Sequence, residues 1–200
     1  GFVQHPWMKR QNDFAQVDRH LSPERRQMAV AAYFGLCSFV DHQIGRVVDK
    51  LTATGLDENT RIIYTSDHGD NVGARGMWGK SNMYEEAVGI PLIIAGDDVP
   101  TSKLCNTPVS LLDSYQTFVQ GVGLEPTAEE AELKGRSWFD IAVIDDDPER
   151  IVFSEYHAAS SPTGAFMIRV GQYKYVHYAG YPPQLFDLAA DPEELVDLGE

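Results

Sequence analysis

Between residues 28 and 51, apolar side chains recur at steps of four or three: Met28, Ala32, Leu36, Val40, Ile44, Val47 and Leu51. That period draws one stripe along an α-helix. Ser22 reads as its N-cap, Pro23 fits the first helical position, and Glu24 suits the positive end of the helix dipole. Gly55 supplies the stop. Two short β-branched runs follow, "TRIIYTS" at 60–66 and "GIPLIIAG" at 89–96. Each reads as a strand, and the helix-turn-strand rhythm predicts a parallel sheet. Thr107 and Pro108 open a further helix with Leu111, Leu112, Tyr115, Phe118, Val119 and Val122 as its apolar face. Residues 1–20 are polar and read as irregular.

After residue 124 the rhythm changes. Residues 125–150 are acidic and connective, broken by "KGRSWF". "RIVFSEYH", "GAFMIRVGQYKYVHY" and "QLFDL" are strand-like runs with Gly and Pro between them and no helical period. The fold class is therefore α/β: a layered sheet flanked by helices over residues 1–150, with a small antiparallel β subdomain over 151–200.

A hydrophobic content of 43% over 200 residues is enough for a core. The net charge of −14, from 30 acids and 16 bases, argues against a nucleic-acid partner, which wants a basic face. No apolar run reaches membrane-spanning length, so no membrane partner is expected. A homo-oligomer is left open. The start, "GFVQHPWMKR", lacks both a signal-peptide core and an initiator Met, so the chain reads as an interior piece of a longer polypeptide. Cys37 and Cys105 form neither a metal spacing nor a disulfide framework. Cys37 reads as a small buried apolar residue on the helix. A reducing compartment fits, a single disulfide stays open, and both cytoplasm and periplasm remain open.

The stretch "YTSDHGDNVGARGMWGK", at 64–80, gathers both charge signs at a strand end. Ligands of open α/β sheets collect beyond such ends. A turn after Ser66 can aim Asp67 and His68 at one point, with Gly69 permitting the backbone. Carboxylate and imidazole together suit a divalent metal; a solvated acidic turn with a surface histidine fits the same letters. Two ligands complete no shell, since calcium takes about six to eight oxygens. The acids at 96–98 and 145–147 read as loop acids, so other ligands lie elsewhere. Lys80 next to a metal would clamp a tetrahedral oxyanion, or is an ordinary surface lysine. "GARGMWGKS" approaches a P-loop, but five residues separate its glycines where the motif has four, and no strand leads directly into it. Neither G-x-S-x-G nor H-E-x-x-H occurs.

Over nearly its whole length the chain resembles the sulfatases, a branch of the alkaline phosphatase superfamily. "VDHQIGRVVDKLTATGLDENTRIIYTSDHGD" is similar to the family's helix-strand-metal segment, and "GARGMWGKSNMYEEAVGIPLIIAG" to its lysine loop and following strand. "VSLLDSYQTF", "LKGRSW" and the ending "MIRVGQYKYVHYAGYPPQLFDLAADPEELVDLGE" resemble later landmarks. The "ARGMWGK" loop and the ending look most like choline-sulfatase-type members. The resemblance implies metal-dependent hydrolysis of a small anionic sulfate ester. It implies that Asp67 and His68 are metal ligands, for calcium with manganese as the alternative, and that Lys80 contacts the sulfate. His5, in "QHPW", matches the histidine that faces the leaving oxygen; a structural histidine is the other reading of that position. The family nucleophile lies in C/S-x-P-x-R and is oxidised to formylglycine. That motif and the early paired aspartates are absent, because Cys37 is followed by "SFV" and Cys105 by "NTPV". The chain thus resembles the C-terminal portion of a sulfatase, expected to be inactive alone. A phosphonate or phosphate ester hydrolase of the same superfamily and a non-catalytic binding module are the rival readings. For a quaternary ammonium substrate, Trp78, Tyr178 and Tyr181 are the available cage aromatics.

Overall fold

Ser22 does cap the long helix. In the computed structural model, which describes residues 3–15, 21–158 and 161–199, its hydroxyl accepts from Arg25 N–H at 3.4 Å, and Pro23 opens α2 (Pro23–Ala53). Thr54 N–H turns back onto the Lys50 and Leu51 carbonyls, and Gly55 takes a left-handed φ of +68°. The apolar stripe is present, but no residue of α2 is buried. Leu36 is 64% exposed, and Cys37, expected inside, is exposed as well. Period reports which side of a helix wants cover; it does not supply the cover, and nothing among the described residues provides it. Neither cysteine is paired.

Strands β1 (Ile62–Thr65) and β2 (Leu92–Ala95) form a two-stranded sheet that is antiparallel, with Ile62 opposite Ala95 and Thr65 opposite Leu92. The parallel expectation fails because of the path that the connection takes. A parallel neighbour needs a crossover that carries the chain back along the strand. Residues 66–91 hold only a tight turn at Ala74–Gly76 and the one-turn helix α3 (Glu85–Val88), so the chain re-enters at the end it left.

Helix α4 (Asp113–Gly121) begins well after Thr107. Thr107 is buried and its hydroxyl accepts from Asp147 N–H at 2.8 Å. Asp113 explains the shift. Fully buried, its carboxylate accepts from Ser110 and Arg136 N–H, both at 2.8 Å, and from both Arg150 guanidinium nitrogens at 2.6 and 3.0 Å. The polar face of α4 is thereby turned inward, and Leu112, Phe118 and Val122 are left exposed. The segment read as connective carries helix α5 (Trp138–Val143), capped by Ser137, with Trp138, Phe139 and Ile141 buried.

Residues 152–187 form the expected antiparallel sheet: β3 (Val152–Tyr156), β4 (Ala165–Val170), β5 (Tyr173–Tyr178) and β6 (Gln184–Asp187), in that order. Alternation sends Ala165, Met167, Val176, Tyr178 and Phe186 to one face, the main core. Its other half comes from Trp7 and Met8 of α1 (Pro6–Ala15), and from Met77, Met83 and Tyr84. Residues 6–15 were thus expected irregular and are helical; residues 16–20 lie outside the described residues. The core draws on both sides of the boundary expected near residue 150. No described helix is long and apolar enough to cross a membrane.

Lys174 points into this core with no exposure. Its ammonium meets Glu85 at 2.9 Å and Glu194, itself fully buried. The second Glu194 oxygen accepts from Glu85 N–H at 2.7 Å and lies 3.8 Å from Arg75, which also pairs with Glu86. Substituting Lys174→Met strands the buried Glu194 and the half-buried Glu85 and is expected to cost about 3 to 5 kcal/mol in urea unfolding. The double variant with Glu194→Gln is expected to recover part of that loss. Burial pushes the Glu194 carboxyl above its ordinary value of 4.5, against the pull of Lys174. A raised acid holds its proton in the folded state after the unfolded chain has released it. Its contribution to stability therefore falls as pH climbs from 4.5 through the raised folded value. The stability difference between wild type and Glu194→Gln should fall across that window, and a difference flat in pH would contradict it.

Candidate active site

The chain leaves β1 at Thr65 and turns sharply. Ser66 Oγ donates to the His68 carbonyl at 2.7 Å, and Asp67 Oδ1 accepts from His68 N–H at 3.1 Å. Gly69 N–H then donates to the Ala87 carbonyl of α3 at 2.8 Å. A Cβ on Gly69 would lie 2.0 Å from the Glu86 carbonyl oxygen, so the glycine is there for close approach to α3. The position of His68 is thereby tied to α3.

The His68 ring is oriented by its own backbone neighbour. Nδ1 lies 2.8 Å from the Gly69 carbonyl, an acceptor only, so Nδ1 carries the proton. Nε2 keeps its lone pair and faces outward. Against it sits the Lys80 ammonium, in direct contact, and 3.5 Å away lies Asp67 Oδ2. Asp67 is 82% exposed and His68 38%, so the three groups share an open surface site.

Lys80 returns to His68 because the loop between them is closed at its neck. Asp70 Oδ1 accepts from Val72 N–H at 2.8 Å and from Gly79 N–H at 3.1 Å. Asn71 gives its backbone and its side-chain N–H to the Gly79 carbonyl, each at 2.7 Å. Gly79 adopts φ +70°, which suits a residue without Cβ. At the apex Arg75 donates to the Glu193 carbonyl at 2.9 Å, pairs with Glu86, and lies 4.0 Å above the Tyr84 ring. Asp70, Asn71 and Arg75 were not singled out from sequence. The D-H-G-D-N run offered a signal, since Asp and Asn two or three residues before a glycine-rich stretch commonly cap turns.

Asp67, His68 and Lys80 therefore converge. The imidazole lone pair already faces a cation, the ammonium, which is the charge a metal would present, and the Asp67 carboxylate lies 3.5 Å from the same ring nitrogen. Among the described residues no group of three or more His, Cys, Asp or Glu side chains could hold a metal, so these two donors form a partial set. His5 is placed differently. It is buried, its Nδ1 accepts from Trp7 N–H at 3.2 Å, its Nε2 lies 3.0 Å from the Pro182 carbonyl, and its ring stacks on Tyr178. These contacts cap α1 and bind it to the C-terminal sheet. The cage aromatics are also spent: Tyr178 is buried, Tyr181 packs on the core, and Trp78 lies against Gly73.

Comparison with known proteins bears on the family and the fold. The sulfatase family profile matches residues 4–124, and the profile of the N-sulphoglucosamine sulphohydrolase C-terminal region matches residues 73–200. A choline-sulfatase of Rhizobium meliloti (strain 1021) is 40% identical over 193 residues, covering 94% of this chain and 36% of the relative. The chain thus spans about a third of that protein's length. Among solved structures, a 2-O GAG sulfatase superposes with a TM-score of 0.78 at 28% identity, over 90% of this chain and 40% of that one. The phosphonate monoester hydrolase of Agrobacterium radiobacter gives 0.77 at 28% identity, over 90% and 38%. On the family profile, the choline-sulfatase match and the shared alkaline-phosphatase-like fold, this chain belongs to the sulfatase family.

Proposed function

We propose that the chain forms part of a sulfate ester hydrolase in which Asp67 and His68 hold a divalent cation and Lys80 holds the sulfuryl group. The observation that carries this reading is that His68 Nε2 meets both Lys80 Nζ and Asp67 Oδ2 at one strand end. Asp67 Oδ2 and His68 Nε2 fit a hard divalent cation, calcium with manganese as the alternative, whose charge polarises the sulfate oxygens when it is bound.

Each residue then has a definite task. Asp67 supplies negative charge on an exposed carboxylate. The Gly69 carbonyl fixes the Nδ1–H tautomer of His68, which keeps Nε2 a neutral donor. With the cation on His68 Nε2, the Lys80 ammonium would yield that lone pair and stand beside it, where non-bridging oxygens gather charge as the ester bond breaks. Asp70 and Asn71 hold that ammonium in reach. His5, expected at the leaving oxygen, is given no task in this scheme; its ring nitrogens meet the Trp7 N–H and the Pro182 carbonyl. The formylglycine nucleophile of the family has no C/S-x-P-x-R counterpart in these 200 residues.

A phosphonate or phosphate ester is the second reading, supported by the likeness to a phosphonate monoester hydrolase at 28% identity. Both esters present tetrahedral anions to the same charges. Parallel assays of 4-nitrophenyl sulfate and of phosphate and phosphonate esters on the intact enzyme separate the two readings.

Lys80→Ala in the intact enzyme is expected to lower kcat/KM for 4-nitrophenyl sulfate by about 100- to 1,000-fold. His68→Ala should reduce the apparent affinity for the activating divalent cation, seen in a cation titration of activity, while Lys80→Ala leaves that affinity largely in place. An enzyme indifferent to both substitutions would sink the proposal. The 200-residue chain alone is expected to give no turnover of the same ester, and robust turnover would show that its nucleophile lies within it.

A further inference from the structure

Lys80 lies between two residues that are separately pinned. On its N-terminal side, Gly79 is bound through both its N–H and its carbonyl by Asp70 and Asn71. On its C-terminal side, Ser81 is bound from opposite ends of the chain. The Tyr156 phenol, at the last position of β3, donates to Ser81 Oγ at 2.8 Å. The Gln11 side-chain amide, on α1, donates to the Ser81 carbonyl, and Gln11 is buried. Ser81 has φ +85°. A residue with a Cβ visits that region rarely and at a cost of about 1 to 3 kcal/mol.

A strained conformation persists only where its surroundings over-determine it. Here the hydroxyl and the carbonyl of one residue are each held by a donor that the loop itself does not supply. Were they released, Ser81 would relax toward negative φ and rotate the peptide that joins it to Lys80. Gly79 cannot follow, because its neck bonds fix it. Lys80 would absorb the rotation, and its ammonium would leave the position that it holds beside His68.

We propose that Tyr156 and Gln11 are positioning residues for Lys80: by locking Ser81 in its left-handed conformation they aim the Lys80 ammonium at the sulfuryl oxygens. This rests on the reading of Lys80 as the group that binds those oxygens. Tyr156 touches neither substrate nor metal in this scheme. Its hydroxyl acts through Ser81, and its ring packs against the core whether or not the hydroxyl is present. Tyr156→Phe therefore removes the bond and keeps the packing.

The test is a mutant cycle in the intact enzyme with 4-nitrophenyl sulfate. Tyr156→Phe is expected to lower kcat/KM about tenfold, short of the hundredfold cost of a full ångström of misplacement. Ser81→Ala should give a similar loss, and the two together no more than either alone, because they delete the same bond. In a Lys80→Ala background, Tyr156→Phe should change kcat/KM by less than about twofold. A general structural role would lower activity in both backgrounds. Full activity in Tyr156→Phe, or a tenfold loss that survives Lys80→Ala, overturns the proposal. Should Lys80→Ala itself be silent, the reading of Lys80 falls, and amide hydrogen exchange decides the clamp separately. Exchange accelerated at residues 79–82 in Tyr156→Phe supports the clamp, and unchanged exchange there refutes it.

Discussion

A lysine ammonium with no access to water sits under the C-terminal sheet, and the site loop is built on the charges that neutralise it. Lys174 must find carboxylates inside the protein. It finds Glu85, the first residue of α3, and Glu194 of the tail. Glu194 also accepts from Glu85 N–H, so α3 is fixed from two directions. From α3 the constraint passes to the site by two routes. Through the close contact of Gly69 with Glu86 and Ala87 it reaches His68. Through Glu86 and Glu194 it reaches Arg75 and the apex of the Lys80 loop. Exposed ion pairs contribute about 0 to 1 kcal/mol. Here Lys174, Glu194 and the Arg75 side chain are buried, with Glu85 and Glu86 half-buried, so losing either sign at the centre leaves the other without compensation. The four-stranded sheet is therefore a foundation for the candidate site.

The apolar surface of the chain divides into two kinds. One kind is consumed: Trp7, Met8, Met77, Met83 and Tyr84 close against Ala165, Met167, Val176, Tyr178 and Phe186. The other is laid out on regular elements and left open, as with Phe34, Leu36, Phe39 and Val47 on α2, Phe118 on α4 and the residues that flank α4, Leu112 and Val122. The β1–β2 pair belongs with the second kind, since two strands make a sheet that is marginal by itself. The Asp67–His68–Lys80 cluster lies where the two kinds meet. Its backbone support comes from the consumed side, and Asp67 is exposed.

What could be read beforehand was local. Ser22-Pro23 and Gly55 mark the ends of α2 because caps act within one turn. The β3–β6 runs alternate cleanly because one face is buried and the other is wet. Asp67, His68 and Lys80 stand within one loop, so their spacing carried information. What could not be read was long-range. Two adjacent apolar residues, Trp7 and Met8, define no period, so α1 was invisible until its partners on the sheet were in view. The apolar face of α4 pointed to a buried stripe, yet Arg150, far along the chain, draws Asp113 inward and reverses it. The antiparallel order of β1 and β2 depends on where residues 66–91 go, which no strand signal encodes. Gln11, Tyr156 and Glu194 have polar ends that meet an acceptor or a cation far along the chain.

The loop that carries Lys80 shows why such distant bonds matter. Val72, Arg75 and Ser81 all have positive φ within ten residues, and Val72 is β-branched, for which that region is least comfortable. A loop shaped only by local preference would relax at each of the three. Instead Asp70 takes the Val72 N–H, Glu86, Glu194, the Glu193 carbonyl and the Tyr84 ring hold Arg75, and Tyr156 and Gln11 hold Ser81. Val72 is held within its own turn, whereas Arg75 and Ser81 coincide with bonds from distant parts of the chain. Strain of about 1 to 3 kcal/mol per residue has no use for stability. Its effect is geometric: it excludes the relaxed loop shapes in which a flexible, exposed lysine would sample the solvent, and leaves the shape in which the ammonium stands against His68.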